Sequence, residues 1–153
     1  MKYGKWLLLA IFGFGLRIYL IEALTWDNNI LEGRYNIFTD LDYKVYLDAS
    51  LYDNPYKRHT YRYSPLLALV MSPSYTLHQN FGKYLLAIFD LLACFFFFKI
   101  FADRKEKANQ TGGFIVCLIL FLNPFLVYLS IRGSCEGITL LLASAFLYFY
   151  FGG

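Results

Sequence analysis

The stretch TDLDYKVYLD, residues 39–48, sets three aspartates, Asp40, Asp42 and Asp48, within nine positions of a chain that is otherwise apolar. Carboxylates beside a bilayer are costly to keep ionised, so their presence needs a physical reason. Two reasons are available. TDLD fits a helix-capping box, with Thr39 as N-cap and Asp42 three residues on, and acidic residues in a first turn suit the helix dipole. A carboxylate held ionised by that dipole at a water–lipid boundary is also equipped to act as a general base or to bind a sugar. Wound into a helix, residues 40–52 put Leu41, Val45 and Tyr52 on one stripe and Asp40, Lys44 and Asp48 on another, as in a helix lying in the interface. Asp40 and Asp42 are about 200° apart around such a helix. They can both face one substrate only if the pair sits at the helix N-terminus or just before it.

Two further clusters carry chemistry. YKRHTYRYSP, residues 56–65, combines Lys57, Arg58 and Arg62 with Tyr61 and Tyr63. Arginine beside aromatic rings can hold a phosphate while the rings pack along a sugar or isoprenoid; the same mixture also forms the aromatic–basic belt of membrane proteins. RGSCEG, residues 132–137, places Arg132 and Glu136 four apart, either as an ion pair or with Arg132 free for a phosphate. His59 and His78 have no ligand-spaced partners and read as surface residues. Cys94, Cys117 and Cys135 lack zinc-like or redox spacing and read as small buried hydrophobes. Asp90, inside an apolar block, must face protein or water rather than lipid, in a structural role.

The elements that must position these residues are membrane helices. Of 153 residues, 58% are hydrophobic and 21% aromatic, gathered into blocks of the length that crosses a bilayer. The net charge of +3 forms no basic stripe, which excludes a nucleic-acid partner. The expected fold is all-α and polytopic, with about four transmembrane helices over 6–24, 83–101, 113–131 and 137–153. The first is too long and too interrupted by Arg17 for a signal-peptide core and reads as a retained anchor. Pro124 should kink the third. The fourth is still apolar at Gly153, which reads as part of a longer protein. Residues 65–77, cut by Pro73, are short for a span and read as interfacial or re-entrant.

Short-loop charges give the orientation. Lys2 and Lys5 precede the first span, and Arg104, Lys105 and Lys107 follow the second, which puts both on the cytosolic side. The loop 25–64 and the turn at Arg132–Glu136 then face the opposite compartment. The NQT sequon at Asn109 falls on the cytosolic side and should stay unmodified.

The acidic Asp-x-Asp in a first non-cytosolic loop resembles the GT-C glycosyltransferases, which take sugar from a polyprenyl phosphate. The longer pattern FTDLDYKVYLDASLYDNPYKRHTYRYSPLLA, with FGKYLLAIFDLLA at 81–93, LNPF at 122–125 and Arg132-Gly133, resembles the first mannosyltransferase of glycosylphosphatidylinositol (GPI) anchor synthesis, the PIG-M family. The likeness extends over nearly the whole chain from about Arg17, roughly the first third of a family member. Ser134, Cys135 and Glu136 stand where the family usually has Asn-Ala-Asp.

The resemblance implies a multi-pass protein of the endoplasmic reticulum membrane with a luminal site. It implies transfer of the first α-1,4-mannose from dolichyl-phosphate mannose to glucosaminyl-phosphatidylinositol, with inversion. Asp40 is implied as base and Asp42 as the residue orienting the acceptor, their order left open. Arg62 and Arg132 would hold the donor phosphate, Tyr61 and Tyr63 would line the groove, and Asp48 and Glu136 would support. No metal ligand set is implied, although a divalent ion is left open, and the implied partner is a small membrane subunit of the PIG-X type. Two alternatives stand beside this: another GT-C enzyme using a polyprenyl-phosphate sugar, and a non-catalytic membrane protein in which the acidic pair is only a cap.

Overall fold

The computed structural model of the protein describes residues 2–102 and 107–152. Arg104 and Lys105, on which the orientation partly rests, lie outside the described residues, and the side chains of Lys2 and Lys107 are likewise not described. Every regular element among the described residues is helical: α1 (Lys2–Thr25), α2 (Leu41–Ser50), α3 (Pro65–Met71), α4 (Phe81–Ala102), α5 (Lys107–Leu122), α6 (Pro124–Arg132) and α7 (Glu136–Gly152), with short 3-10 turns at Pro55–Lys57 and Ser72–Tyr75. α4 is the central pillar, packed on α7, α5 and α1.

Gly4–Thr25 and Phe81–Phe101 are long and apolar enough to cross a membrane. The third expected span is two helices rather than one kinked helix, Thr111–Leu122 and Pro124–Arg132, inclined by 47°. Pro124 lacks an N–H and forces Asn123 out of the helical region, to ψ 121°. The Asn123 side chain then accepts from the Phe125 N–H, so that α6 starts afresh with its own N-cap and Pro at N1. α7 is apolar, but at 17 residues it is shorter than the two full spans. Pro73 likewise ends α3 in a 3-10 turn.

The break in α5–α6 is closed by Arg17, 1% exposed, which reaches from α1 to the Phe121 carbonyl at 2.7 Å and lies over the Phe121 ring. Its Nε donates to Ser130 Oγ at 3.2 Å and stands 3.7 Å from Asp90, to which Ser130 also donates. Asp90 thus faces protein, as its sequence context requires, and four helices meet at one satisfied polar cluster.

The loop after α1 folds back on the start of α4. Gln79 accepts from the Ile30 N–H at 2.8 Å and donates to the Asn28 carbonyl at 2.7 Å. Beneath it, α2 packs on α3 through Tyr43, Val45, Tyr46, Leu47 and Ala49, with Leu67, Ala68 and Met71 opposite. Of the apolar stripe expected to lie in the interface, Leu41 (63% exposed) and Tyr52 stay exposed, while Val45 is buried with the face that packs on α3. The aromatic content decides this, since Tyr43 and Tyr46 bury more apolar area than Leu41 could.

Candidate functional site

α2 begins at Asp40. This residue, in extended conformation, is the N-cap, and its Oδ1 accepts from the Asp42 N–H at 3.1 Å. The expectation of Thr39 as N-cap is therefore corrected by one position. Thr39 is buried, and its hydroxyl oxygen already accepts from Lys83 Nζ and Asn28 Nδ2, both at 2.8 Å, which leaves the carboxylate to cap the helix.

The second oxygen of Asp40 meets Arg132 NH2 at 3.3 Å. The backbone joins the same two residues, since the Asp40 N–H donates to the Arg132 carbonyl at 2.8 Å. The loop 26–40 and the turn after α6 thus lie at one end of the helix bundle. Arg132 does not pair with Glu136: it also donates from NH1 to Tyr128 at 3.2 Å, while its Nε is buried without a hydrogen-bond partner. Glu136, exposed in the first turn of α7, accepts from Ser134. Gly133 makes the turn possible. It adopts φ 79°, and a Cβ there would stand 2.6 Å from the Tyr43 ring.

Asp42 faces the same end, two residues into the chain from the cap, and accepts from the Tyr63 hydroxyl at 2.6 Å. That hydrogen bond, with burial second, holds the Tyr63 phenol above its ordinary range, so Tyr63 stays a donor. Tyr63 lies edge-on to Tyr46 and Tyr61. Tyr61 is buried against α3, where it donates to the Ser64 carbonyl and accepts from the Ala68 N–H, and burial raises its phenol as well. Its position is that of a core residue, whereas Tyr63 stands at the carboxylates.

Asp48 is held apart from the pair by Lys44 at 2.8 Å and Arg58 at 3.2 Å. Arg62 and His59 are exposed and show no ion pair among the described residues. His78 is exposed and stacks on Tyr84, while Cys94 and Cys117 are buried and Cys135 half-buried. Among the described residues no group of three His, Cys, Asp or Glu converges as a metal site would require. Beside the α6–α7 turn runs a groove of about 380 Å³, walled by Phe125, Leu126, Leu129 and Leu140 and edged by Ser134 and Glu136.

Lys83 was not singled out by sequence reasoning. It is fully buried beneath the pair, and its only sequence signal is a cation at the start of an apolar helix. The Asp40–Arg132 pairing was also missed, because residues so distant in sequence have no spacing signature. The arrangement is that of a carboxylate pair and a partly exposed guanidinium at one end of the bundle, a set able to accept a proton and to stabilise a leaving anion.

Comparison with known proteins relates the chain to proteins of GPI-anchor synthesis. A family described as GPI transamidase subunit PIG-U matches residues 13–153. GPI mannosyltransferase 1 of Schizosaccharomyces pombe is 40% identical over 115 residues, 72% of this chain and 30% of the relative. The Dictyostelium discoideum protein of that name is 35% identical over 143 residues, 91% of this chain and 32% of the relative. The GPI alpha-1,4-mannosyltransferase I catalytic subunit of Danio rerio is 34% identical over 127 residues, 80% of this chain and 31% of the relative. The chain thus spans about 30% of the length of the relatives it matches. The family description names a transamidase subunit, whereas the relatives are named as mannosyltransferases. No solved structure matches the chain.

Proposed function

The chain belongs to the family described as GPI transamidase subunit PIG-U and is homologous over most of its length to GPI mannosyltransferase 1, and on that premise we propose that it carries the acid–base end of a GPI mannosyltransferase site. One observation carries the reading: the Asp40 carboxylate and the Arg132 guanidinium meet at 3.3 Å with both side chains still partly exposed.

The reaction is the transfer of the first α-1,4-mannose from dolichyl-phosphate mannose to glucosaminyl-phosphatidylinositol. The acceptor hydroxyl oxygen attacks the mannose anomeric carbon as its bond to the phosphate oxygen breaks. A β-linked donor becomes an α-linked product in one displacement. Asp40 takes the hydroxyl proton, and Asp42, steadied by Tyr63, orients the acceptor. Arg132 stabilises charge on the departing phosphate, and exposed Arg62 supplies a second cation. The apolar groove along α6 and α7 suits a polyprenyl or acyl chain. The site faces the lumen of the endoplasmic reticulum, and a small membrane subunit of the PIG-X type is its partner.

A second reading has its own observation. Both Asp40 oxygens serve the fold, one as helix cap and one as partner of Arg132, as in a non-catalytic subunit. Mannose transfer separates the two. The complete cellular form of the chain is placed in membranes lacking endogenous GPI mannosyltransferase 1, with labelled dolichyl-phosphate mannose and glucosaminyl-phosphatidylinositol. An α-linked mannosylated product supports the enzyme; its absence at a normal protein level supports the second reading.

A further inference from the structure

Lys83 is the third residue of α4, fully buried, at the point where the two halves of the site come together. Its Nζ donates to the Phe38 carbonyl at 3.2 Å and to the Thr39 hydroxyl at 2.8 Å, the two residues directly ahead of the Asp40 cap. The ammonium lies 5.5 Å from the Tyr43 ring centroid, one turn into α2. Its stem supports the other half as well. A Cβ on Gly133, the residue after Arg132, would stand 3.2 Å from Lys83 Cγ, so the α6 cap lies directly on this side chain.

A buried ammonium is costly unless paired. Lys83 makes no ion pair among the described residues; its polar partners are a carbonyl and a hydroxyl. Stability alone gives a poor account of such a residue, because an apolar side chain of the same length would fill the space without desolvating a charge. Its contacts are with segments adjoining Asp40 and Arg132. We propose that Lys83 is a positioning residue, which sets the Asp40 carboxylate against Arg132 by holding Phe38 and Thr39 from below. This rests on the mannosyltransferase reading only for its catalytic consequence; the positioning itself is independent of what the site does.

The test compares wild type, Lys83→Met and Lys83→Gln in the complete cellular form of the chain, purified in detergent. Amide hydrogen exchange is read first. In Lys83→Met, exchange of the amides at 39–43 and 133–134 accelerates about tenfold or more, as expected for loss of the two hydrogen bonds that hold Phe38 and Thr39. The cores of α1, α5 and α7 keep their protection. Lys83→Gln, which retains a donor, recovers part of the protection. In the mannose-transfer assay, kcat of Lys83→Met falls by about tenfold or more while KM for the acceptor stays within about twofold, as loss of alignment rather than of binding requires.

Unchanged exchange at 39–43 in Lys83→Met overturns the proposal. So does an acceleration spread evenly over all helices, or a Lys83→Gln protein no better than Lys83→Met. A wild-type protein without mannose transfer, but with the expected exchange pattern, removes the mannosyltransferase reading and leaves the positioning role intact.

Discussion

Asp40 and Arg132 hold each other twice, once by backbone at 2.8 Å and once by side chain at 3.3 Å. The backbone bond fixes where the carboxylate stands, and the ion pair fixes which way it points. The relationship separates what the fold needs from what chemistry would need, because the two bonds respond to different substitutions.

Asp40→Asn keeps a good N-cap and removes the charge. The expected change in folding stability is under about 1 kcal/mol, measured by thermal unfolding in detergent. Asp40→Ala removes the cap as well and is expected to lose about 1–2 kcal/mol, since Arg132 is then left half-buried beside an apolar side chain.

Tyr63→Phe deletes the donor to Asp42 without changing the ring packing on Tyr46 and Tyr61. The expected result is a folded protein with mannose transfer reduced about tenfold, the loss of one charge-assisted hydrogen bond. Transfer rates at matched protein levels check it.

Gly133→Ala is expected to be far more harmful than its size suggests. The residue sits at φ 79°, and a methyl group would meet the Tyr43 ring at 2.6 Å. Strain and overpacking together are worth about 2 kcal/mol or more, to be read as lowered thermal stability and weaker protection at the start of α2.

Arg17→Met leaves Asp90 buried beside Ser130 without its cation. Removing one partner of a buried pair destabilises by about 3–5 kcal/mol. The double variant Arg17→Met with Asp90→Leu should recover much of that loss, which a double-mutant cycle in detergent would measure.

Alkaline pH gives a test of the tyrosine core. Burial raises the phenols of Tyr43 and Tyr46, and burial with the nearby Asp48 carboxylate pushes Tyr75 from 10.0 up to about 12. Groups whose folded pKa is raised contribute stability that is fully present below their unfolded pKa and is lost as pH rises through the folded value. Stability is therefore expected to hold to pH 10.0 and to fall between 10.0 and about 12. Phenolate absorbance should show these tyrosines ionising late, together with unfolding.

The sequence made the helical class legible because apolar blocks of bilayer length have few other uses. It also marked Asp90 as protein-facing, since lipid cannot hold a carboxylate, although its partner Arg17 could not be named. Asp40 and Asp42 were legible at a helix start, because only there can residues two apart share a direction. The cap fell on Asp40 rather than Thr39 because Lys83 and Asn28 had already engaged the threonine, a tertiary effect that TDLD does not encode. Arg132 chose Asp40 over Glu136 for the same reason: a contact made by folding displaced one suggested by helical spacing.

The most direct test of Asp40 as the base is mannose transfer by Asp40→Asn, in membranes lacking the endogenous enzyme and at protein levels matched to wild type. The expected result is a folded protein with transfer lowered by about a hundredfold or more, since the cap survives and the base does not. Transfer at the wild-type rate would contradict that role and leave Asp40 as a helix cap and a partner for Arg132.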